Sequence, residues 1–204
     1  MNDRPDSLPP WRSALARALH RNRSLVYSRY AQLATVNHEG RPSNRTIVFR
    51  GFGEGDRAAE IKFITDRRSA KINQLQANPW GELCWYFPKT REQFRITGDC
   101  TIVDGLNPNS ADQKSRRITW HNLSDSARAQ FAWPAPAADL GAPEAFEPLN
   151  LDPNQPLEDF SLLYLAPMQV DHLELKGQPD APYPQSRCRY SLESGEWRQR
   201  SVNP

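Results

Sequence analysis

Residues 30–52 read YAQLATVNHEGRPSNRTIVFRGF. The first eight residues carry a β pattern, HEGR supplies a turn through Gly40, and PSNRTIVFRGF resumes the β pattern, so the stretch reads as a hairpin. A third strand follows at EIKFITD (60–66). In RRSAKINQLQANP (67–79) Ile72 and Leu75 fall on one helical face, and Asn78-Pro79 ends the helix, because the residue before a proline is driven out of the α region. Two more strands, GELCWYF and EQFRITGDCTIVDG, close the series. Five closely spaced strands with one short helix predict an antiparallel barrel or sandwich, since parallel strands would need a crossover helix each time. Neither GxGxxG nor GxxxxGK[ST] occurs, so side chains would have to hold any phosphate ligand.

The flanks extend this picture. Pro9 and Pro10 precede Trp11, Leu15, Ala18 and Leu19, whose 4-and-3 spacing predicts a short amphipathic helix with Arg12, Arg17, Arg21 and Arg23 on its solvated side. Residues 110–133 read as helical, with Ser124 or Asp125 capping a second short helix. More than half of the chain's 18 Pro lie between Pro134 and Pro184. The stretch 134–158 is too irregular for an element and reads as an excursion. Strands resume at FSLLYLAPMQVDHLEL, and RCRYSLES and EWRQRSVNP form a last hairpin around Ser194-Gly195. The fold class expected is mainly β with flanking helices, in a single domain over residues 1–204.

Composition narrows the function classes. The 26 basic and 24 acidic residues give a net charge of +2, too balanced for the dense basic footprint of a nucleic-acid binder. Hydrophobic residues make up 38% of the 204, and six are Trp, enough for a folded core. Cys84, Cys100 and Cys188 form no CxxC pair and no metal-ligand spacing, and read as ordinary core or strand cysteines. The N-terminus has no apolar signal-peptide core and no long apolar run follows, so a soluble cytoplasmic chain without membrane contact is expected. His20, His38, His121 and His172 are scattered, with no HExxH or Ser-His-Asp arrangement, and no metal is expected.

Two clusters carry candidate chemistry. Arg45 and Arg50 bracket the apolar run of RTIVFR, and five residues apart on a strand they project to opposite faces unless a bulge or bend intervenes. In ITDRRSAK, Thr65 stands at a strand end, Ser69 near a helix start and Lys71 in the first turn. Hydroxyls, amides and an ammonium gathered there would hold a phosphate monoester. By spacing alone the alternative stays open: Thr65 and Asp66 cap the helix and Lys71 is solvated.

The order RTIVFR, FITDRRSAK, ANP, EQFRITG and a C-terminal RxxY before a last strand ending in Pro resembles the pyridoxamine 5′-phosphate oxidase superfamily. It is most similar to the FMN-binding proteins related to that oxidase in cyanobacteria and plants. The likeness covers residues 11–133 and 160–204. It implies an antiparallel split β-barrel and a homodimer with FMN in clefts at the subunit interface. It further implies that Arg45, Thr46, Ile47, Val48 and Arg50 run along the flavin and its phosphate tail, and that Ile64 and Thr65 touch it at a strand end. Ser69 and Lys71 match the phosphate turn. Ala70 stands where the oxidase commonly has an arginine, a contact that Arg68 could replace. Gln93 matches a glutamine that reaches the flavin from the partner subunit, and Arg187 a C-terminal arginine that contacts FMN.

The substrate residues depart from the pattern. Tyr183-Pro184-Gln185 stands where the oxidase has Arg-x-His, and Leu173 and Leu175 offer no ring where the oxidase stacks an aromatic near the flavin. Arg116, Arg117 and Arg128 could line the cleft and hold an anionic substrate, although an exposed helix face is the better reading of them. The resemblance therefore implies an FMN-binding flavoprotein and oxidoreductase of unassigned small-molecule substrate. Oxidation of pyridoxamine or pyridoxine 5′-phosphate through altered contacts, and a flavin carrier or sensor, are the alternatives.

Overall fold

The computed structural model describes residues 8–177 and 182–204. The start of the N-terminal stretch, residues 1–7, lies outside them. Helix α1 (Pro10–Asn22) opens the described chain and buries Trp11, Ala14, Leu15 and Ala18 on one face. Strands β1 (Tyr30–Val36) and β2 (Pro42–Val48) form the expected hairpin, in register from Tyr30↔Val48 to Val36↔Pro42. The segment read as one strand, 42–52, is two. After Val48 the chain leaves β1, and β3 (Gly51–Phe52) pairs instead with β4 (Ile61–Asp66). Gly51 at φ +121° sits at this change of partner, a conformation L side chains rarely adopt.

Helix α2 (Ala70–Ala77) buries Ile72 and Leu75 and stops before Asn78-Pro79, as its spacing predicts. Strands β5 (Trp80–Phe87) and β6 (Glu92–Val103) follow, then α3 (Ser110–His121) and α4 (Asp125–Ala129). Asn109 caps α3, and Ser124, the first of the two residues considered, caps α4 by accepting from the Ala127 amide. The 15-residue β7 (Phe160–Glu174) and the hairpin β8 (Ser186–Glu193) with β9 (Glu196–Val202) complete the sheet.

The strand order is β2-β1-β5-β6-β7-β4-β3, all neighbours antiparallel, and β2 continues into β3 in the chain, so the sheet curls back on itself. β7 forks the sheet: its first half pairs with β4 and its second half with β8, while β6 runs beside both. The fork needs a register shift between Thr97 and Gly98. A Cβ on Gly98 would lie 1.9 Å from the Ala166 carbonyl oxygen, so only glycine fits there.

Two apolar clusters result. Inside the curl lie Leu15, Leu33, Phe63, Trp85, Phe87 and Phe94 with their neighbours. Outside β4 and the first half of β7, the helices α3 and α4 cover Phe160, Leu162 and Tyr164 with Trp120, Leu123 and Phe131. That is why residues 160–165 are buried on both faces and read in sequence as a continuous apolar run. On the outer face of β1 and β5, Tyr30, Trp80 and Tyr86 are 42%, 45% and 44% exposed, with no such helical cover among the described residues.

Candidate functional site

A cavity of about 810 Å³ opens where β2, the end of β4 and the start of α2 meet the segment after α4. Arg45, Thr46, Ile47, Val48 and Arg50 all border it, as do Ile64, Thr65 and Lys71. Arg45 shares a face with Leu33 of β1, and its guanidinium donates to the Leu33 carbonyl, to Thr35 Oγ1 at 2.6 Å and to Gln74 Oε1 of α2 at 2.9 Å. Arg50 reaches the same cavity because the chain turns from β1 to β4 just there, its amide donating to the Lys62 carbonyl. The bend that the sequence left open is therefore present.

The turn between β4 and α2 gathers the remaining donors. Ser69 is the N-cap residue of α2, yet its hydroxyl donates to the Asp66 carbonyl and does not cap the helix. Lys71 Nζ donates to Ser69 Oγ at 2.8 Å and to Thr65 Oγ1 at 3.0 Å. Burial, and then the nearby Arg45 charge, pull the Lys71 ammonium down to about 8. Burial also lowers Arg45. Among the described residues neither cation has a carboxylate within ion-pair distance; of the two acids that line the cavity, Asp66 is bound twice by Arg68 and Asp139 belongs to the exposed excursion. Arg45, Arg50 and Lys71, three desolvated cations with no ion-pair partner among the described residues, border one cavity and form a donor set suited to a phosphate monoester.

Arg68 cannot fill the gap left by Ala70. Its guanidinium pairs with Asp66 and Asp159 and donates to the carbonyls of Phe131 and Trp133. Its work is to tie the root of the Pro-rich excursion to the turn. That excursion is the part of the site sequence reasoning missed: Trp133, residues 134–141 and Phe146 wall the cavity opposite β2. Spacing carries no signal for this, because the segment has no periodicity to project onto a face. Further along, the excursion is pinned where Trp120 Nε1 donates to the Asp152 carbonyl and Arg116 Nη2 to the Leu157 carbonyl.

Gln93 and Arg187 are not among the residues lining this cavity. They stand in one cross-strand row, Gln93 of β6 opposite Leu173 of β7 and Leu173 opposite Arg187 of β8. Arg187 makes a two-pronged contact to Asp171, Nε to Oδ1 at 2.9 Å and Nη2 to Oδ2 at 2.8 Å. The helix arginines differ from either expectation: Arg116 and Arg128 are buried, and only Arg117 is exposed. Arg116 Nε donates to the Phe160 carbonyl, and Arg128 Nη1 closes the end of α3 on the carbonyls of Trp120, His121 and Leu123. Pairing of β6 with β7 also brings together Glu92, His172 and Glu174, which no spacing in the sequence suggests. Burial would raise the Glu92 carboxyl, but the bonds from His172 and Thr90 outweigh it and leave it lowered. Arg21, Lys89 and Lys176 line the adjoining cavity together with Glu92 and Glu174.

Residues 8–104 match the family described as pyridoxamine 5′-phosphate oxidase, FMN-binding domain. Over 168 residues, 82% of this chain and 84% of the relative, the chain is 40% identical to pyridoxine/pyridoxamine 5′-phosphate oxidase 2 of Arabidopsis thaliana. The chain belongs to the pyridoxamine 5′-phosphate oxidase FMN-binding family. A pyridoxamine 5′-phosphate oxidase-related, FMN-binding protein of Nostoc punctiforme superposes with a TM-score of 0.89 at 52% identity, over 97% of this chain and 100% of that one. PhzG of Burkholderia lata, solved with tetrahydrophenazine-1-carboxylic acid, shares the fold at a TM-score of 0.73 and 20% identity, over 98% of each chain. The fold is the antiparallel split barrel of this family, and FMN is its cofactor. No described helix is long and apolar enough to cross a membrane.

Proposed function

We propose that the chain acts as a cytoplasmic, homodimeric FMN-dependent oxidoreductase on a small molecule, with residues 1–204 serving as one FMN-binding unit. The observation that carries this reading is the pair of uncompensated cations, Arg45 and Lys71, facing one cavity with Thr65 and Ser69 behind them. In this reading they take the FMN phosphate, the strand from Thr46 to Arg50 and the Ile64-Thr65 pair lie along the rest of the cofactor, and the excursion shields it from water. Bound FMN supplies hydride or single-electron transfer. The protein supplies orientation, exclusion of water and positive charge beside the ring.

Dimerisation is supported by the separation of the two residue sets. Gln93 and Arg187 stand away from the cavity of their own chain, so a second copy would bring Gln93 and Arg187 of the partner subunit to it. The open outer face with Tyr30, Trp80 and Tyr86 offers the apolar contact such a dimer needs. The three cysteines are free, as in a reducing compartment.

A second reading, oxidation of pyridoxine or pyridoxamine 5′-phosphate, is favoured by what the Arabidopsis relative is named for. Against it, Tyr183 in the Tyr183-Pro184-Gln185 element is 73% exposed and no Arg-x-His replaces it. Purified protein is expected to carry a yellow chromophore that heat releases as FMN, one per protomer. Protein without flavin and without affinity for added FMN refutes the proposal. Turnover of pyridoxamine 5′-phosphate by the FMN-loaded protein would select the second reading.

A further inference from the structure

Asp171 of β7 stands at the centre of three arginines. Its nearest cross-strand neighbours are Arg95 of β6 and Arg189 of β8, and Arg95 Nη2 donates to Oδ2 at 2.9 Å while Arg189 Nε stays 3.9 Å away. Arg187 belongs to the next row, opposite Leu173, yet its guanidinium leans one row along the sheet and meets Asp171 with two parallel hydrogen bonds. A long side chain that leaves its own row for a fork-on-fork contact has few rotamers left. The Asp171 side chain is 12% exposed. Burial would raise its carboxyl, but the bonds from Arg187 and Arg95 outweigh that and hold it below the usual carboxylate range, so it is an anion throughout the neutral range.

From this geometry we infer that Asp171 is a positioning residue: its carboxylate aims the Arg187 guanidinium at the FMN bound in the partner subunit's cleft. The inference rests on the proposed role of Arg187. Leu173 beside it is apolar and offers no hydrogen bond, so the direction of the guanidinium depends on Asp171 alone within the row and its neighbour. Arg95, on the opposite side of the carboxylate, fixes Asp171 in turn.

The test is a double-mutant cycle on FMN dissociation constants, measured by flavin fluorescence on the dimeric protein, with D171N, R187A and the double variant. Asp171→Asn keeps the shape and removes the charge. It should weaken FMN binding about tenfold in the native background and less than twofold in the R187A background, because groups acting through one another are not additive. D171E should restore most of the affinity. If R187A leaves the affinity unchanged, Arg187 does not face the flavin, and the proposed role and this inference fall together. If R187A weakens binding and D171N does not, the positioning inference alone is overturned. An equal loss from D171N in both backgrounds also overturns it, since the carboxylate then serves only to hold the strands.

Discussion

The cleft at β2, β4 and α2 and the helical cover of α3 and α4 both bury cationic side chains, yet they use them in opposite ways. Arg116 gives its donors to backbone carbonyls at a strand start, and Arg128 gives its donors to carbonyls at a helix end and to the Asp125 carboxylate. Arg45 and Lys71 meet hydroxyls, an amide oxygen and a carbonyl, and they face a cavity with no carboxylate within ion-pair distance among the described residues. Burial of a cation therefore does not mark a site by itself. What marks it is positive charge that the fold desolvates and then leaves unneutralised, because such charge is costly until an anion arrives.

The contrast can be broken by swapping readouts. Arg116→Ala should remove two hydrogen bonds to backbone carbonyls, of which the Leu157 carbonyl keeps the Phe160 amide as a donor, and lower stability by about 2–4 kcal/mol. That is a fall in Tm of roughly 5–15 °C for a chain of this size, with FMN affinity per folded molecule little changed. Arg45→Ala and Lys71→Ala should do the reverse, each costing about 1.5–3 kcal/mol of FMN binding in a titration of apoprotein while leaving the apoprotein's Tm within a few degrees. A large Tm loss in K71A with unchanged FMN affinity would show that Lys71 is a structural clamp like Arg116.

The pH dependence should sharpen the same point. The Lys71 ammonium titrates near 8 in the apoprotein, below its ordinary 10.5, so between those values the unfolded chain holds more proton than the folded one. Apoprotein stability gains from this group as pH climbs through that window. Phosphate binds the protonated form, so FMN affinity falls over the same range, by at most the loss expected for K71A. K71M should flatten that slope. The smallest expected effect is that of Gln93→Ala, about 1 kcal/mol on FMN binding. That loss should vanish at protein concentrations where dilution has separated the dimer.

The legible part of the molecule was the part governed by local rules. Alternation located the strands, and Asn78-Pro79 stopped α2 where expected. Position in the β4–α2 turn singled out Thr65, Ser69 and Lys71, which the structure joins in one hydrogen-bonded group. The misreadings involve contacts distant in sequence. Residues 42–52 looked like one strand because a change of pairing partner leaves side-chain alternation almost intact. Arg116 looked exposed because the carbonyls it binds, those of Leu157 and Phe160, lie beyond an irregular excursion.

The sequence by itself determined that this chain forms an antiparallel β fold with a short helix at a phosphate-suited turn, since periodicity and turn chemistry act within a few residues. The family motifs in order determined the cofactor class. Tertiary structure decided that Arg45 and Arg50 share one cavity, that Arg68 clamps an excursion to the turn between β4 and α2, and that Gln93, Leu173 and Arg187 form one row. Each of those facts depends on which strands pair and where a strand changes partner, and pairing is settled by the joint packing of the whole sheet and not by any single segment.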